Sequence, residues 1–499
     1  MANIVDDAGA QARLHPGALA VHEFVSGRHW SYAAWDEAIA RTAAVLVLNH
    51  GIEPGARVAA LGRNCAELVL LHLACARIGT IFVPLNWRLV PAELAPLLEN
   101  SSPALLFGDA DLLSPVRASW RTIEIPALRA EMDDAAPLAT LPFDRGRPSL
   151  ILYTSGTAGR PKGVVLSEHN ISHTAINFSM LAQVAHDSVM LAETPMFHTI
   201  GIIASIRPFF LRGGTVLIGE GFEPARTLAR LGDAGLGVTH YFCVPQMAQM
   251  LRNTPDFDPG KLRRLTAVFS GGAPHPAENI RAWLRDGIAI ADGFGMSEAG
   301  TISCMPQHIP LIDAKAGATG IVPPSIRFRI VDTGEIDVPA GMAGELLLQG
   351  DNLFSGYWRA PEETAKAFTQ DGWFRTGDIV RQDEDGFLFL VDRKKDMFIS
   401  GGENIYPVEI EAALAGLPGI AEAAVIGIPD ARWGEVGHLA VVVAAGGPDA
   451  AAILAHFATR LARYKIPKHI SFVEALPRTG TGKIQKTILR RTLTCPADN

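Results

Sequence analysis

The sequence predicts an α/β protein. A large N-terminal domain of βαβ-built parallel sheets carries a small β-rich subdomain and is followed by a small α+β C-terminal domain. Three observations predict this. The chain has 499 residues, more than one hydrophobic core holds, so at least two domains are expected. Apolar runs of strand length alternate with helical segments through the first two thirds, the pattern of parallel sheets built from βαβ units. The texture then changes after about Asp313 to short strands separated by turns.

The elements follow in order. VAALGRN, a helix over residues 66–78, and TIFVPLN form one strand–helix–strand unit. SLILYTSG followed by SEHNISHTAINFSML is a second, GVTHYFCVP followed by QMAQMLRN a third, and LTAVFSGG followed by PAENIRAWLRD a fourth. ATGIVPPSIRFRIVDTG, GELLLQG and DGFLFLVDRKK read as the strands of the β-rich subdomain. Beyond them a helix over residues 407–417, strands in AAVIGIPD and HLAVVVAAG, and a helix in AAILAHFATRLA make the last compact unit. The charged segment VDRKKD between two apolar strands marks the boundary, giving domains 1–393 and 394–499. Ligands of such folds bind in loops at the carboxyl ends of the strands.

Composition narrows the function. The apolar fraction is 48%, the charged fraction 19% and the formal net charge −8. That is an ordinary globular balance and argues against a nucleic-acid or anionic-membrane surface as main partner. An anionic ligand must be held by local groups. The five cysteines form no CxxC pair, so neither a disulfide framework nor a zinc cluster is expected, and a reducing cytoplasm fits best. The N-terminal stretch has early acids and no long apolar run, unlike a signal peptide. No uninterrupted apolar stretch is long enough to span a bilayer, and PADN is neither a peroxisomal nor a prenylation signal.

Chemistry concentrates in a few stretches. In YTSGTAGRPKGV, residues 153–164, a buried strand ends in Thr154, Ser155, Gly156, Thr157, Gly159 and Lys162. Glycines let backbone N–H groups turn toward one point, and hydroxyls and a lysine add donors, which is how a loop cradles phosphate. The GxxxxGK[ST] loop does not fit, since Pro161 precedes Lys162 and Gly163 follows it. In GFGMSEAG, residues 293–300, Glu298 stands where a dinucleotide motif would have its third glycine. A carboxylate among glycines suits Mg²⁺, which prefers oxygen donors. Asp378 stands in RTGD, and Arg393 follows fifteen residues later. His198 is a single histidine in the apolar run PMFHTIGI. Lys483 sits in PRTGTGKIQK, on a glycine hinge close to the chain end.

Together and in this order these stretches resemble the adenylate-forming superfamily of acyl-CoA synthetases, adenylation domains and luciferases, over essentially the whole chain. The resemblance implies the following roles. The 154–162 loop holds phosphate, and Thr154 joins Glu298 at the metal. Asp292, Gly293, Phe294, Gly295, Met296 and Ser297 carry the adenine motif, with Phe294 where tyrosine is common and Ser297 where threonine is common. Gly272, Ala273 and Pro274 lie along the adenine and the acyl pocket. Asp378 and Arg393 meet the ribose or phosphate. Lys395 is the hinge, and Ser400, Gly401 and Gly402 line the passage for the CoA thiol. His198 gates an acyl pocket walled by Met196, Phe197, Thr199, Ile200, Ala204, Ser270, Gly271, Gly272, Gly293 and Met296.

Lys483 is then the catalytic lysine. Attack of a carboxylate on the α-phosphorus builds negative charge, which an ammonium stabilises. The same face must later admit a thiol, so the lysine has to leave, and a small domain swinging on a hinge allows that. The expected enzyme is an ATP-, Mg²⁺- and CoA-dependent acyl-CoA synthetase. Its expected substrate is an apolar monocarboxylate, a medium-chain fatty acid first and an aryl or cinnamate-type acid second. No wall residue is cationic; Gly293 stands where malonate-type members carry arginine, and Ile200 where coumarate ligases often carry tyrosine. The alternatives are a stand-alone adenylating enzyme that loads a carrier protein and a catalytically silent nucleotide-binding protein. The expected partners are the carboxylate, ATP and CoA, with no nucleic acid and no transmembrane segment. A homodimer is compatible with the sequence.

Overall fold

The computed structural model describes residues 6–494 except 140, 142–143, 155–160, 274, 395, 401–402, 415–416, 431, 462, 464 and 479–483. The first-position expectation holds in outline: mixed α/β, with parallel sheets and a small α+β unit at the C-terminal end.

Two large sheets form the N-terminal part. The first runs, edge to edge, through Gly300–Cys304, Ile290–Met296, Ala267–Gly271, His240–Cys243, Val189–Ala192, Thr215–Ile218, Leu19–Glu23 and His29–Ser31. Its inner strands pair in parallel, and both edge pairs are antiparallel. The second runs through Gly356–Tyr357, Lys162–Ser167, Pro148–Thr154, Ile81–Pro84, Arg57–Leu61, Leu105–Gly108 and Thr122–Glu124. It is parallel from Pro148–Thr154 onward and antiparallel at the edge that will carry the site.

The helix Ala66–Ile78 shows why the sheets stay together. All of its residues are buried, as a helix apolar around its whole circumference must be. It ends at Gly79, whose φ of 82° is the left-handed conformation glycine adopts without penalty. One apolar cluster joins its Leu70 and Leu71 to Phe82 and Leu150 of one sheet and to Met190 and Phe269 of the other. Truncating such a leucine to alanine costs about 2–5 kcal/mol. The acid in this helix, Glu67, is compensated by Arg129 and Arg28, each at 2.7 Å. Among the described residues no helix is long and apolar enough to cross a membrane.

The β-rich subdomain is a four-stranded antiparallel sheet of Arg327–Val331, Ala343–Gln349, Phe374–Gln382 and Leu388–Arg393. The C-terminal sheet holds Glu403–Ile405, Phe398–Ser400, Gly434–Val443 and Ile420–Asp430, with His469–Phe472 parallel to Gly434–Val443. It has its own core around Phe398, Ile410, Val425, Leu439 and Phe457.

Three details depart from the sequence reading. Residues 162–167, which that reading skipped, form an antiparallel strand: Pro161 and Gly163 punctuate a stretch that cross-strand pairing with Pro148–Thr154 nevertheless orders. The GFGMSEAG stretch extends a strand, Ile290–Met296, and turns back into Gly300–Cys304. The helix expected to run to residue 417 ends at Ala413.

Candidate active site

The site is built on strand ends. Thr154 and Lys162 are register partners across the hairpin of Pro148–Thr154 and Lys162–Ser167, and the Thr154 hydroxyl donates to the Lys162 carbonyl at 3.4 Å. Ser155, Gly156, Thr157 and Gly159 lie outside the described residues. The Lys162 ammonium meets a Glu363 carboxylate oxygen at 2.6 Å and stands 4.8 Å from the centroid of the Tyr357 ring.

Tyr357 ties that hairpin to Glu298. Its two-residue strand, Gly356–Tyr357, pairs with Val164 and Val165. Its phenol donates to Glu298 Oε1 at 3.0 Å. Burial first, then the Glu298 charge, pushes the phenol's pKa up, so it stays a neutral donor. The Glu298 carbonyl accepts from the Phe354 amide at 2.7 Å, and the Asn352 side chain donates to the Ala299 carbonyl at 2.7 Å. The segment 352–357 thus fixes the loop after the adenine motif by backbone and side chain together. The sequence reading missed Tyr357 and Glu363. Their signal is the stretch SGYWRAPEET, where an aromatic and an acid flank a helix start at Pro361.

The 293–300 stretch needs its glycines for space. A Cβ on Gly295 would lie 2.4 Å from the Gly300 carbonyl oxygen, so the hairpin closes only around glycine. Phe294 and Met296 are half-buried against the main core. Ser297 accepts from the Thr199 hydroxyl at 3.3 Å, joining this motif to the His198 segment.

That segment departs from regular α-helix: Ile200–Ala204 is a π-helical turn, a form that concentrates at functional sites. Gly201 permits it, since a Cβ there would sit 2.1 Å from the Pro195 carbonyl oxygen. Met196, Phe197 and Ala204 are buried, while His198, Thr199 and Ile200 are half-exposed. The Phe197 and His198 rings meet edge-on at 4.4 Å. Across from them Gly272 has φ 82°, and a Cβ there would contact Ile200 at 3.7 Å and Val244 at 3.8 Å. Ala273 is exposed, and Pro274 lies outside the described residues.

The register divides the expected wall. Ser270 pairs with Asp292, and Gly271 with Gly293. Because side chains alternate across a sheet, Ser270 and Asp292 lie on one face and Gly271 and Gly293 on the other. Cys243 shares the Ser270 face. Phe269, on the glycine face, packs on Phe178 of the helix Glu168–Leu181 at 5.1 Å. Asp292 is buried, and burial pushes its carboxyl well above the usual range. Its Oδ1 and the Ser270 hydroxyl have no partner among the described residues.

Asp378 is buried and faces Arg393 directly across an antiparallel pair. Residues fifteen apart in sequence are therefore neighbours. Ser400 is buried and bridges to Gly434. Lys395, Gly401, Gly402 and Lys483 lie outside the described residues. The strand Leu388–Arg393 is joined to the C-terminal helix Pro407–Ala413 by the Val408 amide, which donates to Asp392 at 3.0 Å.

Parallel sheets with antiparallel edges, a β-rich subdomain and a small C-terminal sheet are the architecture of an adenylate-forming enzyme. A family model described as "AMP-binding enzyme" matches residues 9–358, and its C-terminal domain model matches residues 409–483. The chain belongs to the AMP-binding enzyme family, in its CoA-ligase branch, and is an acid–thiol ligase. It is 38% identical to a feruloyl-CoA synthase of Amycolatopsis sp, covering 96% of this chain and 97% of that one. It is 36% identical to an indoleacetate–CoA ligase of Aromatoleum aromaticum, with 96% of each covered. It is 33% identical to the long-chain-fatty-acid–CoA ligase FadD13 of Mycobacterium tuberculosis, with 91% of each covered. Among solved structures, ATP-bound MatB from Rhodopseudomonas palustris overlays with a TM-score of 0.89 at 31% identity, covering 97% of this chain and 98% of that one.

Proposed function

We propose that the chain makes an acyl-CoA from a monocarboxylic acid with an apolar, aryl-bearing body. ATP gives an acyl-adenylate and pyrophosphate, and the CoA thiol then displaces AMP. The carrying observation is the Lys162–Tyr357–Glu298 cluster: one tyrosine has the ammonium of the hairpin strand over its ring and donates its hydroxyl to the carboxylate.

The residues fit MgATP. Glu298 and Thr154 offer oxygen donors, the preference of Mg²⁺, and Tyr357 fixes one oxygen of Glu298. The bound ion would neutralise phosphate charge. Lys162 would exchange Glu363 for a phosphate oxygen. Asp378 and Arg393 would take the ribose. Lys483, on a lid spanning 394–499 and hinged at Lys395, would stabilise charge at the α-phosphorus and then withdraw. Ser400, Gly401 and Gly402 would line the thiol passage.

For the acid, exposed Gly272 presents backbone in place of a side chain toward Ile200 and Val244, while Phe242 covers the neighbouring Gly271, 3.2 Å from where its Cβ would be. Feruloyl and indoleacetate ligases among the relatives agree with an aryl body. The second reading is a medium-chain fatty acid, favoured by the buried apolar Met196, Phe197 and Ala204 and by the likeness to FadD13. The test is AMP release and thioester formation with a hydroxycinnamate, benzoate, octanoate and malonate at equal concentration, with and without CoA. The expected order puts an aryl acid first. Octanoate first would install the second reading, malonate first would overturn both, and AMP release without thioester would point to a carrier-protein thiol.

A further inference from the structure

The helix Glu168–Leu181 carries His169 and His173 one turn apart, so both rings lie on one face. They meet edge-on, with centroids 4.6 Å apart and planes at 65°. Asp351 reaches over both. Its Oδ1 lies 3.4 Å from His169 Nε2 and its Oδ2 lies 3.7 Å from His173 Nε2. One donor atom from each of the three side chains falls within 4.8 Å of the others. We propose that His169, His173 and Asp351 form a binding site for a divalent transition-metal ion of the Zn²⁺ class, separate from the Mg²⁺ site of the reaction.

The donor set argues for that class of metal. Two imidazole nitrogens and one carboxylate suit Zn²⁺, Co²⁺ or Ni²⁺, whereas Mg²⁺ and Ca²⁺ favour all-oxygen sites. Tetrahedral bonds of about 2.0 Å put donors roughly 3.3 Å apart, and the two carboxylate contacts, one from each Asp351 oxygen, lie near that spacing. The imidazoles are half-buried and the carboxylate is 66% exposed, so small side-chain rotations can bring the three donors onto one ion. Water would complete the coordination.

The site has a fixed frame. The Asn170 side chain donates to the Asp351 carbonyl at 2.9 Å and also accepts from the Ser167 amide, which caps the helix. The His169 amide donates to the Arg145 carbonyl at 3.0 Å. Arg145 opposes an incoming cation, and the Asp351 charge offsets it.

A bound ion would also clamp the start of the 351–357 segment, whose later residues hold the Glu298 loop. The test uses the untagged full chain stripped with EDTA. Calorimetric titration with Zn²⁺, and separately with Mg²⁺, is run on the wild type and on His173→Gln and Asp351→Asn variants; hydrogen exchange is followed over residues 351–357. The expected result is one Zn²⁺ equivalent in the wild type that either substitution weakens at least tenfold, no matching Mg²⁺ site, and slower exchange in the segment with Zn²⁺. Zn²⁺ binding of equal stoichiometry and affinity in both variants, or none in the wild type, would overturn the proposal. Asp351→Asn keeps the helix intact, so a folding defect in the histidine variant does not mask the outcome.

Discussion

Tyr357 donates to Glu298 across 3.0 Å from a strand that pairs with the phosphate-loop hairpin. Its ring also lies 4.8 Å from the Lys162 ammonium, so one side chain touches both the lysine and the acid. A hydrogen bond to a charged group contributes about 1.5–3 kcal/mol. Tyr357→Phe keeps the ring under Lys162 and removes only the donor. The Mg²⁺ concentration for half-maximal AMP release should rise about tenfold, with the unfolding midpoint nearly unchanged. An unaltered Mg²⁺ dependence would remove Tyr357 as a positioning residue for Glu298.

Lys162 is held by Glu363 at 2.6 Å. A phosphate oxygen must compete with that carboxylate. Glu363→Gln should therefore lower KM for ATP by about two- to fivefold, the scale of an exposed ion pair, while kcat stays similar. Lys162→Ala should do the opposite and raise KM. If Glu363→Gln raised KM, the carboxylate would be a partner of the nucleotide and not its competitor.

Lys483→Ala should cut adenylate formation by about 10²–10³-fold, the scale for removing one pre-organised charge stabiliser, and largely spare thioester formation from supplied acyl-adenylate. Rapid-quench measurement of the two half-reactions separates them. Equal loss in both would contradict the lid argument.

Much of this was legible in the sequence, for reasons that differ by residue. The helix over residues 66–78 was readable to its ends because an apolar run stops at Gly79. Thr154, Lys162, Glu298 and Asp378 stood out as candidates because their chemistry sits in short glycine-rich stretches. Tyr357 was not, because its partner is 59 residues away in sequence and a tyrosine in a short loop carries no periodic signal. The split between Ser270 and Gly271 was also hidden. A strand's two faces follow from alternation, but which face lines a pocket depends on what packs against each. The strand Lys162–Ser167 was missed because its order comes from a neighbour and its own sequence begins with turn residues.

Stability should fall as acid is added, beginning well above the carboxylate range. Burial pushes His72 and His275 each down to about 4 from an ordinary 6.5. The folded state keeps both neutral while the unfolded chain binds a proton to each near 6.5. This contribution is fully present above pH 6.5 and is lost as pH falls from 6.5 toward 4. Each fully expressed shift corresponds to about 3 kcal/mol. Thermal unfolding at pH 7.5, 6.5, 5.5 and 4.5 should show the decline, and His72→Gln should flatten it in that window whatever its effect at pH 7.5. A parallel pH profile in the variant would show that His72 does not titrate on unfolding.

The acid's body should be read by the contact between Gly272 and Ile200. A Cβ on Gly272 would touch Ile200 at 3.7 Å, an ordinary van der Waals distance, but φ is 82°, a conformation that costs a side chain roughly 1–2 kcal/mol. Gly272→Ala should therefore fill the space and strain the loop at once, lowering kcat/KM for every acid. Ile200→Ala does neither. It only removes apolar carbon beside Gly272, at about 0.8 kcal/mol per buried methylene. An acid whose ring packs on Ile200 loses that contact, so kcat/KM for benzoate should fall about tenfold or more. A hydroxycinnamate, which reaches deeper, should lose less, and its preference over benzoate should widen. Measuring the two acids side by side in the wild type and in Ile200→Ala decides it. An unchanged ratio, with both acids as active as before, would mean that the ring does not pack on Ile200.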